Sequence, residues 1–120
     1  MIEILVEGEP IPAARPRFSG GRVYQPKRNS DYRQLVKAAA RSVMNGQEPL
    51  KGEICVQVKL FRKYKPTAKI FGDVDNHLKN IFDAMNSVVY VDDKQIVRCV
   101  VEKHLDKVNP RAEIQIEEMG

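Results

Sequence analysis

The sequence predicts an α+β fold: one small domain in which a mixed or antiparallel sheet carries two helices, in the order β-α-β-α-β-β. Three observations lead there. Two segments, "IEILVEG" near the start and "EICVQVKLF" near the middle, alternate apolar and polar residues with a period of two. Two others repeat apolar residues every three or four positions, as one face of a helix does. Two more short alternating runs close the chain. At 120 residues the chain is long enough for one core and too short for two, so residues 1–120 read as a single domain.

Taken in order, the first strand sets Ile2, Ile4 and Val6 on one face and Glu3 on the other. The following "EPIPAARPRFSGGRVYQPKRN" is rich in Pro and Gly and reads as a loop or an arm. A helix is expected from Ser30 to Asn45, with Ser30 as N-cap, Gly46 as the stop, and Tyr32, Leu35, Val36, Ala39, Val43 and Met44 as its apolar stripe. The second strand turns Ile54, Val56, Val58 and Leu60 inward and Glu53, Gln57 and Lys59 outward. A second helix is expected from Asn76 to about Asn86, capped by Asp75, with Leu78, Ile81, Phe82 and Met85 toward the core. "QIVRCVVEK" and "AEIQIEE" are expected to form an antiparallel pair joined by "LDKVNPR".

Composition excludes several classes. With 42% apolar and 30% charged residues the chain is globular rather than disordered. No apolar run approaches the ~20 residues that span a bilayer, so no membrane role is expected. The start, "MIEILVEGEP", has two glutamates, no basic lead and no cleavage site, which argues against a signal peptide and for a cytoplasmic protein. Cys55 and Cys99 are too far apart in sequence to make a metal or redox motif and read as two buried thiols.

The net charge is +4, and its distribution says more than its size. Residues 13–37 carry seven basic side chains (Arg15, Arg17, Arg22, Lys27, Arg28, Arg33, Lys37) against Asp31 alone. Residues 61–69 carry Arg62, Lys63, Lys65 and Lys69 and no acid. Residues 71–93 reverse the sign, with Asp73, Asp75, Asp83, Asp92 and Asp93 against Lys79. Basic surface attracts nucleic-acid phosphates and gains affinity by counterion release. An acidic island among basic segments repels phosphate unless a divalent cation sits between them.

The stretch "GDVDNHLKN" carries the sharpest signal. In an extended segment, Asp73 and Asp75 would point the same way and meet one cation. Lys79 follows Asp75 by one helical turn. If residues 88–91 return beside the helix start, a third carboxylate from the Asp92-Asp93 pair joins the first two. Three carboxylates with few nitrogen ligands suit Mg²⁺, with Mn²⁺ as the alternative. Such an ion activates water and neutralises a scissile phosphate, and Lys79 would stabilise the transition state. Spacing alone leaves a second reading open, in which Asp75, Lys79 and Asp83 form a solvated ion-pair ladder. An EF-hand is excluded, because its sixth and twelfth loop positions are here Leu78 and Ala84. His77 has no companion and reads as a helix-surface residue; His104 reads as a strand-end or turn residue.

The arrangement "DVDNHLKNIFDAMN…VVYVDDKQIV" resembles the RusA family of Holliday-junction resolvases, whose hallmark is D-x-D-N-x-x-K, then F-D-A-[LM], then an apolar strand ending in D-D-x-Q. "GEPIPAARPR" is similar to the family's Pro-rich, Arg-bearing entry to the domain. The resemblance implies a RusA-like fold and a homodimer that resolves four-way DNA junctions by paired symmetric nicks. It implies metal-binding, catalytic roles for Asp73, Asp75 and Asp93, a lysine needed for cleavage at Lys79, a helix-start asparagine at Asn76, and a supporting role for Asp92 beside the third ligand. A prophage origin fits the family. The DNA footprint expected with it is Arg15, Arg17, Arg62, Lys63, Lys65, Lys69 and Asn76. The competing readings are a non-catalytic DNA-binding or regulatory module, and a less selective nuclease of flaps or forks.

Overall fold

The computed structural model describes every residue except Arg15, Pro16, Gln25 and Pro26, and every side chain outside 15–19 and 22–26. Strands β1 (Ile2–Glu7), β4 (Ile54–Arg62), β5 (Ile96–Leu105) and β6 (Arg111–Glu118) form one mixed sheet in the order β1-β6-β4-β5. β6 runs antiparallel to both β1 and β4, and β5 runs parallel to β4. Helices α1 (Lys27–Met44) and α2 (Val74–Met85) pack against each other, α1 also against β1. A separate hairpin, β2 (Arg17–Ser19) and β3 (Arg22–Tyr24), lies within the stretch expected to be a loop. Its turn is Gly20-Gly21, both at positive φ (57° and 78°), where only glycine is at ease.

The sheet's alternation is the one the sequence carries. Ile4 and Val6 of β1, Ile54, Val56, Val58 and Leu60 of β4, and Ala112, Ile114 and Ile116 of β6 are all buried in one core. The helices close it with Tyr32, Val36, Ala40 and Met44 from α1 and Ile81, Ala84 and Met85 from α2. Both cysteines are free thiols, Cys55 half-buried and Cys99 exposed. Among the described residues no helix is long and apolar enough to cross a membrane.

Four expectations are corrected. α1 begins at Lys27, so Ser30 lies inside its first turns instead of capping it, with a Lys27–Asp31 ion pair at 3.5 Å on the outer face. Its buried stripe runs through Ala40, while Leu35 and Val43 face solvent. α2 begins at Val74, so the cap position belongs to Asp73, whose side chain makes no cap hydrogen bond, and Asp75 sits within the first turn. β5 and β6 are not partners. They flank β4, and the connection between them passes the end of that strand. Asp106 N–H donates to the Arg62 carbonyl at 2.8 Å, and the Asp106 carboxylate accepts from the N–H groups of Val108 and Asn109 and from Arg111. The chain thereby crosses the end of β4 before turning back.

Candidate active site

The site begins where β4 ends. Arg62, the last residue of β4, is 3% exposed. Its Nε donates to Glu9 Oε1 at 2.8 Å, and its Nη1 donates to the carbonyls of Ile70 and Phe71 at 3.0 and 2.7 Å. The guanidinium also lies 5.1 Å from the Tyr64 ring centroid and 5.7 Å from that of Phe71. This fixes the single 3-10 turn Lys69–Phe71 that leads into α2. Arg62 is therefore removed from the expected DNA footprint. Reaching a phosphate would strand Glu9 and two carbonyls, a cost that no surface interaction offsets.

Gly72 makes the bend. Its φ is +91°, and a Cβ there would stand 2.7 Å from Pro12 Cγ and 3.2 Å from His77 Nε2. The N-terminal arm thus crosses directly over the start of α2. Ala13 N–H donates to the Asn76 carbonyl at 2.9 Å, and buried Asn80 donates to the Ile11 carbonyl at 2.7 Å. His77, expected on the helix surface, is buried beneath this arm, with Nε2 2.6 Å from the Phe71 carbonyl and its ring edge-on to Phe71. Burial pulls its pKa down to about 4, and Arg62 and Lys103 push the same way against the Phe71 hydrogen bond. His77 is a neutral strut here, its Nε2–H donating to the carbonyl.

On this scaffold Asp73, Asp75 and Lys79 all project to solvent from the first turns of α2. Asp73 is extended (φ −74°, ψ 148°) and Asp75 is helical, so the pair meets at a strand-to-helix corner and not along one extended segment. The alternative ion-pair ladder does not form: among the described residues Lys79 makes no ion pair with Asp75 or Asp83, and Asp83 instead faces Arg33 at 3.8 Å. Lys63, Lys65 and Lys69 are exposed on the excursion between β4 and α2, at the same end of the sheet as the two acids. A cleft of about 340 Å³ lined by Arg28, Tyr64 and Ile70 opens beneath the arm. Asn76 is exposed at the helix start, holding the arm through its carbonyl. Arg15 lies outside the described residues; Arg17 is in β2, and its side chain lies outside the described ones.

The other acidic pair is built differently. α2 gives way to a turn at Ser87 (φ 67°), and Tyr90 is buried with its hydroxyl donating to the Phe82 carbonyl at 3.2 Å. Burial, and then Asp93, Asp83 and Asp92, raise the Tyr90 pKa above the ordinary phenol value. Asp92 and Gln95 form a reciprocal capping box over the 3-10 turn Asp93–Gln95: Lys94 N–H donates to Asp92 Oδ2, and Asp92 N–H donates to Gln95 Oε1, both at 2.9 Å. Gln95 Nε2 donates onward to the Leu50 and Gly52 carbonyls at 2.9 and 3.0 Å. The Asp92 carboxylate is thus engaged in the cap, whereas the Asp93 side chain makes no hydrogen bond or ion pair among the described residues. Gln95 is a structural residue that sequence reasoning misses; the D-x-x-Q spacing is its signal.

Asp73, Asp75 and Lys79 share the cap and first turns of α2, and Asp93 stands in the 3-10 turn that follows it. Among the described residues no three His, Cys, Asp or Glu side chains gather closely enough to hold one ion.

The mixed sheet with two helices, the acid-bearing start of α2 and the anchored D-D-x-Q turn define a small nuclease-type domain. The family model for endodeoxyribonuclease RusA matches residues 7–117, and the chain belongs to that family. The Bacillus subtilis (strain 168) protein YqaN, described as uncharacterized, is 30% identical over 142 aligned positions, which cover 99% of this chain and 97% of that protein. The family carries nuclease chemistry on DNA.

Proposed function

We propose that the chain is a Mg²⁺-dependent endonuclease that acts in the cytoplasm as a homodimer and resolves four-way DNA junctions by paired symmetric nicks. The observation that carries this reading is the exposed Asp73-Asp75 corner, with Lys79 one turn behind it and Lys63, Lys65 and Lys69 on the same end of the sheet. Asp73 and Asp75 offer only oxygen donors and have no competing partner among the described residues, which suits Mg²⁺ or Mn²⁺ and not a softer metal. Such a cation, when bound, supplies charge neutralisation at the scissile phosphate and a more acidic water.

The chain's own residues do the rest. Asp73 and Asp75 would hold the ion at a corner whose backbone Arg62, Gly72 and His77 fix in advance. Lys79 presents a compact ammonium to the phosphate oxygens as their charge grows. The exposed lysines grip the backbone without reading sequence. Two such sites about a two-fold axis cut two opposed strands.

The test is cleavage of a synthetic four-way junction in Mg²⁺, with EDTA and Asp75→Asn as controls. Symmetric nicks in Mg²⁺ and none in either control are expected. Asp75→Asn should bind the junction at least as tightly as the native chain, because a negative charge beside phosphate has gone. Native-rate nicking by Asp75→Asn would sink the reading, and equal rates on flaps and plain duplex would reduce it to an unselective nuclease.

A further inference from the structure

We infer that the outer face of α1 is a second DNA track, on which Arg33, Lys37 and Arg41 carry a duplex arm away from the nick. This rests on the reading of the chain as a DNA nuclease and adds a contact surface to it. The three cations recur every four residues, so they stand about 6 Å apart along the helix axis at ~1.5 Å per residue. Successive phosphates on one DNA strand are separated by a similar distance, so one strand can meet all three. Ser30, Gln34 and Ala38 beside the stripe are exposed and uncharged, and leave room for a sugar-phosphate backbone. The single acid of α1, Asp31, is engaged with Lys27 at 3.5 Å. Surface of this kind attracts phosphate and gains affinity by counterion release.

The stripe is continuous with the acidic corner. α1 and α2 lie side by side and run in the same direction. At their starts both are tied to the arm: Ala13 N–H donates to the Asn76 carbonyl at 2.9 Å, and the Asn29 amide, oriented to match donors with acceptors, spans the Pro12 carbonyl and the Ala14 N–H at 3.1 and 2.7 Å. Midway, Arg33 faces Asp83 at 3.8 Å, and a hollow of about 210 Å³ opens between them and Lys37. Near the far end, Arg41 and Ser87 line one further hollow. Lys79, one turn before Asp83, carries the line back to Asp75. The Arg33–Asp83 pair is long and partly exposed, so it contributes little and yields its guanidinium to a phosphate. Arg28 lies nine residues before Lys37, two and a half turns of helix, and so on the opposite side of α1, where it lines the cleft with Tyr64 and Ile70. The lysines of the 62–69 excursion belong to that side. Two basic tracks thus leave the arm on either side of α1. A straight duplex lies on one of them, whereas two arms of a branched molecule occupy both. The phosphate-like spacing and the continuity with the acidic corner favour DNA over an acidic protein.

Salt-dependent binding in EDTA, where no strand is cut, decides this. The probes are a synthetic four-way junction and a linear duplex with the sequence of two of its arms. The variant Lys37→Ala with Arg41→Ala keeps the Arg33–Asp83 pair and puts a good helix former at both sites. On the junction, its slope of log affinity against log salt should be shallower than native by about 1.8, or about 0.9 for each phosphate given up. Hydroxyl-radical footprinting of the same complexes should show one arm losing its protection. Ala38→Lys adds a charge beside the stripe and should steepen the slope by about 0.9. Should the double variant melt early, Ala38→Lys alone decides, since it removes no contact. Native slopes and native footprints in the variants overturn the α1 track and leave the nuclease reading intact. A native chain that binds the junction no more tightly than the duplex, and cuts neither when given Mg²⁺, overturns the nuclease reading itself.

Discussion

The two ends of α2 present acidic pairs to solvent by different means. At the start, Asp73 and Asp75 are both available, and the residues beneath them do the holding: Arg62 grips two carbonyls, His77 bonds to Phe71 as well, and Asn80 ties down the arm. Beyond the end, the pair divides the work within itself. Asp92 caps the turn with Gln95, and Asp93 is left available. The difference teaches that a chemically suggestive residue is not necessarily a chemical one. Arg62, His77 and Asp92 have the side chains of a DNA contact, a metal ligand and a third acid, and each of them is occupied by backbone.

The largest blow to this contrast falls on the first end. Arg62→Ala should cost about 3–5 kcal/mol of stability, since it strands Glu9 and two carbonyls. Arg62→Lys should recover little of it, because one ammonium cannot reach three acceptors in a fork. Chemical denaturation measures both, and a destabilisation below about 1 kcal/mol would return Arg62 to the surface. Lys79→Ala should leave the melting temperature unchanged and slow single-turnover nicking about 10²–10³-fold, the usual effect of deleting one preorganised donor. Nicking within threefold of native would make Lys79 an ordinary surface charge. Gln95→Ala removes two hydrogen bonds and half of a cap, and should cost about 1–3 kcal/mol while also weakening Mn²⁺ binding through a loosened Asp93 turn. Unaltered Mn²⁺ affinity would separate that turn from the site. Smallest is the combined Lys63→Ala, Lys65→Ala and Lys69→Ala variant. It should lower the slope of log affinity against log salt by about 0.9 for each phosphate that is no longer neutralised, at native stability. An unchanged slope would remove the segment from the footprint.

How much of this was legible follows from the range of the forces involved. Period-two alternation in β1, β4 and β6 reports which face is buried, and that is a local property. The acid-bearing start of α2 was visible for the same reason. Strand partners are not local: nothing in "QIVRCVVEK" says whether it lies beside β6 or on the far side of β4, and its exposed valines look like core until its edge position is known. Arg62 and His77 were misplaced because polar residue types are mostly found outside, and burial depends on carbonyls supplied from 8 to 9 residues and 6 residues away. The hairpin at 17–24 was readable, since Gly-Gly between two short β-prone triplets is a turn signal, but the surrounding prolines and arginines obscured it. The distance between Asp75 and Asp93 could not be read at all, because sequence separation does not say where a chain returns.

The place of β6 has a consequence for how the molecule is born. The last strand in the chain is an inner strand of the sheet, hydrogen-bonded to β1 on one side and β4 on the other. Ile2 faces Ile116, so β1 and β6 must meet before the four-stranded sheet is complete. On the ribosome β4 can pair with β5 on one side, but β1 has no strand partner and the other side of β4 stays open until residues 111–118 have emerged. Folding is slow to begin for the same reason, since its decisive contacts span nearly the whole length. The fold that carries the acidic corner thereby stays incomplete until residues 111–118 have joined it.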